Sequence, residues 1–172
     1  LEDITIVMLD SNRMKYKEML LPASDEAVKA INELDEVTQK AFGQGYEAVI
    51  KLPEITLFQW MARVLYGVVY HDFVFAIRQH KERGTDAQPS PLLQRKLKNL
   101  HFMLQSLIRP VKFKDFTPWT IRCYQVNISK DIFNYKDEPH RLNFCLGMNG
   151  FGIIACLQDN GEVATYHQKV LE

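Results

Sequence analysis

The sequence predicts an α+β fold: an N-terminal β-hairpin, three principal helices and a C-terminal antiparallel β-meander. Three observations carry this. Apolar residues recur at helical spacing through the first two thirds of the chain, the pattern turns to alternation near Pro118, and Asn149-Gly150 sits between two apolar runs as a two-residue hairpin signal. With 172 residues and 47% apolar side chains, one domain spanning 1–172 has ample material for a core. Within it, residues 1–45 read as hairpin plus helix, 53–109 as a helical core and 118–168 as the sheet.

The elements follow in order. Residues 4–9 and 14–20 are apolar-rich runs separated by Asp10-Ser11-Asn12, which suits a turn. After Pro22, Ser24 is placed to cap a helix whose first turn carries Asp25 and Glu26. Val28, Ile31, Leu34, Val37 and Ala41 then mark its expected buried face, and Gly43-Gln44-Gly45 ends it. Residues 55–77 are so apolar that they predict the central helix, followed by a bend. Gln59, Arg63, Gly67 and His71 lie four apart and form one drifting stripe on it. A bilayer span is excluded by Arg63 and Asp72 within the run, so no membrane partner is expected.

Residues 81–91 read as a loop, and Ser90-Pro91 as a helix start. Leu93, Leu97, Leu100, Leu104, Leu107 and Ile108 form the expected buried face of that helix, closed by Pro110. Strands are expected over 119–127, 132–135, 142–148, 151–158 and 162–167.

Several chemistries find no support in the residues. The five histidines, His71, His80, His101, His140 and His167, include no pair three or four apart, and no Cys-x-x-Cys occurs, so no metal or other cofactor is expected. Cys123, Cys145 and Cys156 are far apart and odd in number, which fits free thiols of a reducing cytoplasm; Cys145 and Cys156 read as small core side chains. No targeting segment opens the sequence, and the first residue, Leu1, leads to the expectation that further residues precede it. No Gly-x-Ser-x-Gly is present, and Gly43-Gln44-Gly45 and Gly150-Phe151-Gly152 read as turns rather than phosphate loops.

Two features point toward binding. The stripe Gln59, Arg63, His71 is a candidate ligand-facing surface; a pocket between the central helix and the meander, lined by Arg63 and His71, would favour a small-ligand binder. Its simpler reading pairs Arg63 with a carboxylate of the preceding helix. The charge is also uneven although 21 basic and 21 acidic side chains balance overall. Residues 78–114 hold 9 basic and 2 acidic side chains, a net of +7, against 7 and 12, a net of −5, in residues 1–77. Arg95, Lys96 and Lys98 with Phe113, Phe116 and Trp119 nearby make nucleic acid a candidate partner; internal neutralisation by the acidic first third is the competing account.

The runs Tyr16-Lys17-Glu18-Met19-Leu20-Leu21-Pro22, Phe42-Gly43-Gln44-Gly45-Tyr46-Glu47 and Thr56-Leu57-Phe58-Gln59-Trp60, with Gly152-Ile153-Ile154-Ala155-Cys156-Leu157-Gln158-Asp159 later, resemble uncharacterised bacterial proteins related to HNH endonucleases. The resemblance implies a metal-dependent nuclease motif after the hairpin. Ala23, Ser24 and Ala27 stand where that motif has cysteines, Val28-Lys29 where it has Asn-Asn, and no histidine precedes His71. No catalytic or metal-binding residue is therefore carried over. The sequence leads to a non-catalytic binding or accessory domain, with nucleic acid as a candidate partner. The alternatives are part of an HNH-type nuclease whose catalytic half lies upstream, and a small-ligand binder using the central helix.

Overall fold

The computed structural model describes residues 5–7, 13–86, 88–111, 117–127, 134–138 and 142–159. Strands β1 (Thr5–Val7) and β2 (Arg13–Lys15) pair antiparallel with Ile6 opposite Met14, forming the expected hairpin; its turn lies outside the described residues. Helix α1 (Asp25–Gln44) starts where Ser24 Oγ accepts the Ala27 N–H at 3.3 Å, with Asp25 and Glu26 in the favourable first turn. It ends at Gly45, whose φ of 87° lies in a region that costs glycine nothing and whose N–H donates to the carbonyls of Ala41 and Phe42.

The buried stripe of α1 is Leu34, Thr38, Ala41 and Phe42, so the expected face is kept at Leu34 and Ala41 but rotated away from its valines. Val28 and Val37 are exposed at 46% and 50%. The large ring of Phe42 sets this rotation by inserting between Trp60 and Phe151, at centroid distances of 4.9 and 5.1 Å. Thr38 tolerates burial because its hydroxyl donates to the Leu34 carbonyl at 2.8 Å.

After the single turn α2 (Tyr46–Val49), helix α3 (Glu54–Glu82) runs 29 residues, about 43 Å at 1.5 Å per residue. It is the central helix, with Phe58, Trp60, Met61, Ala62, Leu65 and Val68 almost completely buried. It continues to Glu82, past residue 77, and a turn at Arg83-Gly84 follows it. Among the described residues no helix is long and apolar enough to cross a membrane. Helix α4 (Pro91–Leu104) starts at Ser90, whose Oγ accepts the Leu93 N–H at 3.3 Å, with Pro91 in its first turn. Leu100 is fully buried, while Leu93, Leu97, Leu104, Leu107 and Ile108 are half-buried against its neighbours.

Strands β3 (Thr120–Gln125), β4 (Asn134–Glu138), β5 (Asn143–Met148) and β6 (Phe151–Cys156) form an antiparallel sheet in the order β3-β6-β5-β4. The last three are a meander, and β3 lies outside β6 in a Greek-key arrangement. Asn149 and Gly150 turn β5 into β6 with φ of 45° and 80°, the positive values a type I′ turn needs. The strand expected over 162–167 lies outside the described residues.

Strand pairing puts Ile121, Phe144, Leu146, Ile153 and Ala155 on the face that packs against the helices. Because Phe144 and Leu146 point inward, Cys145 between them points outward, and Cys156 shares that outer face. This corrects the reading of both as core side chains: they are half-buried thiols in no disulfide. Further contacts join the layers. Trp119 stacks on Phe58 at 4.1 Å, and the Asn149 amide donates to the carbonyls of Phe42 at 2.7 Å and Gly43 at 3.1 Å, closing the end of α1 with the β5–β6 turn.

Candidate functional site: a cavity between α1, α3 and α4

The stripe along α3 divides between structural duties and one site. Gln59 donates its amide to Ser106 Oγ at 2.9 Å, fixing the turn after α4. Gly67 provides the seat for Met19, whose sulfur lies 2.9 Å from the point a Cβ would occupy. His71 Nε2 donates to the Leu20 carbonyl at 2.9 Å, so Gly67 and His71 together dock the segment between the hairpin and α1. Arg63 turns toward α1 and forms an ion pair with Asp35. The sequence-predicted residues Gln59, Arg63 and His71 therefore lie on one helix with different partners, and of the three Arg63 lines a cavity against α1 and α4.

The Arg63–Asp35 pair is nearly enclosed, with side-chain exposures of 11% and 19%. The Trp60 indole lies beside the same carboxylate and acts on its titration. Burial raises the Asp35 pKa to about 6, with Trp60 acting in the opposite direction, and lowers the Arg63 pKa to about 10. Both shifts oppose ionisation, so the cost of desolvation exceeds the gain from pairing. Both groups nevertheless remain charged at neutral pH, and the site carries a neutralised pair rather than a net charge.

Above this pair lies a cavity of about 410 Å3. The segment Leu21–Ser24 with Ala27 and Ile31 of α1 forms one wall, and Arg63, Tyr66 and Tyr70 of α3 the floor. His101, Leu104 and Gln105 of α4 and its following turn, with Leu107 and Ile108, close the far side. The ring of Tyr66 lies 5.7 Å from that of His101 and 6.5 Å from that of Tyr70, giving a continuous aromatic strip. Burial, and secondarily the neighbouring Tyr70, raises the Tyr66 pKa, so the phenol keeps its proton near neutral pH and can donate. The lining is mostly apolar, with hydrogen-bonding groups at its α3 floor and α4 rim, an arrangement typical of small-molecule sites of this size.

Asp35, Tyr70 and His101 were not marked as site residues by the sequence. Their signal was three-dimensional: Asp35 is one acid among several on α1, and only helix packing shows which faces Arg63.

The basic segment takes a different position. Arg95 and Lys98 are exposed on α4, whereas Lys96 is half-buried and its carbonyl accepts the Gln158 amide at 2.6 Å. Trp119 is only 4% exposed and stacked on Phe58, so it does not serve as a surface for bases; Phe113 and Phe116 lie outside the described residues. Among the described residues no group of three or more His, Cys, Asp or Glu side chains is arranged to hold a metal ion. Burial raises the pKa of the Cys123 and Cys156 thiols, which disfavours their nucleophilic form. No family model, curated protein or solved structure matches this chain, so the HNH-related resemblance rests on the residues quoted for it.

Proposed function

We propose that the chain is a non-catalytic, small-molecule-binding domain whose ligand occupies the cavity between α1, α3 and α4. The observation that carries this reading is the cavity itself, about 410 Å3 and mostly apolar, with Arg63, the partner of Asp35, in its floor. Its lining fits a ligand with an apolar or aromatic body and one hydrogen-bond-accepting head, a carbonyl or a carboxylate. The body lies along Ile31, Leu104 and Ile108; the head meets the donors of Arg63 and Tyr66. A guanidinium suits such a head because its donors are fixed in a planar fork.

The reading contains no bond-making step. Arg63 is engaged with Asp35, and the Ser24 hydroxyl that lines the cavity accepts the Ala27 N–H at the start of α1. The test uses a fluorescent amphipathic anion, anilinonaphthalene sulfonate, competed by medium-chain and aromatic carboxylates. Saturable binding of one equivalent, abolished by Ala27→Phe in a protein that keeps its unfolding transition, is the expected result. Binding that is unchanged by Ala27→Phe, or no binding by native protein, would overturn it.

A further inference from the structure

Helix α4 presents a second surface on the side away from Leu100. Pro91, Arg95, Lys98 and Phe102 follow one another at spacings of four, three and four, which places them along one exposed helical face. Arg109, just beyond the helix, is also exposed. Phe102 is 72% exposed, an unusual placement for a large aromatic ring on a helix whose opposite side supplies the packing. Residues 87–114 contain no Asp or Glu at all. Among the described residues, Arg95, Lys98 and Arg109 form no ion pair, so the acidic α1 does not neutralise them through contact; its Asp35 is engaged by Arg63.

The geometry points to a single-stranded nucleic-acid contact along this face of α4, with Arg95, Lys98 and Arg109 on phosphates and Phe102 stacking on one base. Cations alone would serve any polyanion. The solvent-facing ring between Lys98 and Arg109 is what selects an unpaired strand, because a duplex keeps its base faces covered while a single strand offers them for stacking. The surface is separate from the cavity: His101 and Leu104 line the cavity, whereas Lys98 and Phe102 face solvent.

Fluorescence anisotropy of the full chain with a labelled mixed-sequence DNA strand of about 15 nucleotides tests this. The same sequence as a duplex and vesicles of phosphatidylserine in phosphatidylcholine serve as comparisons. Binding should weaken linearly in log–log form between about 50 and 200 mM salt. The double variant Arg95→Glu, Lys98→Glu should lower the salt slope by about 1.4, the value for two phosphate contacts on a single strand. Phe102→Ala should weaken binding about five-fold or more without altering that slope, because stacking releases no counterions. Thermal unfolding of both variants should match the native protein, as expected for exposed positions. No strand binding at the lowest salt would overturn the proposal. So would a Phe102→Ala protein of native affinity, or duplex or vesicles bound as tightly as the single strand.

Discussion

At the residue scale, Arg63 and Asp35 are the most consequential pair, because each is held away from water by the other's presence. Removing the guanidinium in Arg63→Met leaves a nearly enclosed carboxylate beside Trp60 alone. Loss of one partner from a buried pair costs about 3 kcal/mol or more, and chemical denaturation followed by tryptophan fluorescence should show it. The pH dependence has a defined sign. The Asp35 pKa is raised to about 6 when folded, so the folded state holds this proton more tightly than the unfolded chain. The associated stability is complete below about pH 4, the usual carboxylate range, and is lost as pH rises toward 6. Native protein should therefore lose stability relative to Asp35→Asn between these limits. The effect is moderated because the carboxylate keeps some contact with solvent. A native-minus-variant difference that stays flat from pH 4 to 7 would assign the titration to another group.

At the element scale, the contact between the end of α1 and the β5–β6 turn joins the helical layer to the sheet. Asn149 uses its positive φ of 45° to shape the turn and its amide to satisfy two carbonyls, those of Phe42 and Gly43. Asn149→Ala leaves those acceptors without the amide and should cost about 1–3 kcal/mol. Asn149→Asp should cost more, since a carboxylate faces carbonyl oxygens at the negative end of the helix dipole. Equal unfolding midpoints for the two variants would refute that electrostatic account. Much of this architecture is legible beforehand. Ser24 and Ser90 mark the helix starts, Asn149-Gly150 marks the hairpin, and an almost wholly apolar run marks α3 as central. The rotation of α1 is not legible, because it depends on Phe42 finding Trp60 and Phe151, partners 18 and 109 residues away along the chain. The position of β3 beside β6 is hidden for the same reason, since alternation reveals a strand but not its neighbour. Of the site, the sequence marked Arg63 by its stripe, yet Gln59 and His71 share that stripe and hold the Ser106 hydroxyl and the Leu20 carbonyl instead.

At the scale of the whole molecule, the cavity lies where three helices and the Leu21–Ser24 segment meet, so its occupant would touch most of the helical layer at once. A ligand that needs this junction intact binds the folded state and not the unfolded chain, and its free energy of binding adds to stability. At a free concentration of one hundred times Kd the gain is about 2.7 kcal/mol. Carboxylates that displace the fluorescent probe should therefore raise the unfolding temperature in proportion to the logarithm of their concentration. Ala27→Phe separates this linkage from nonspecific effects of the ligand on solvent. The larger side chain enters the cavity wall, so the variant should unfold at a temperature independent of the carboxylate. Variants of the exposed α4 face supply the opposite control: Arg95→Glu, Lys98→Glu should keep the full ligand-induced shift, since neither residue lines the cavity. A shift retained in Ala27→Phe would place the ligand elsewhere, and a shift lost in the α4 variant would show that the two faces of that helix act as one site.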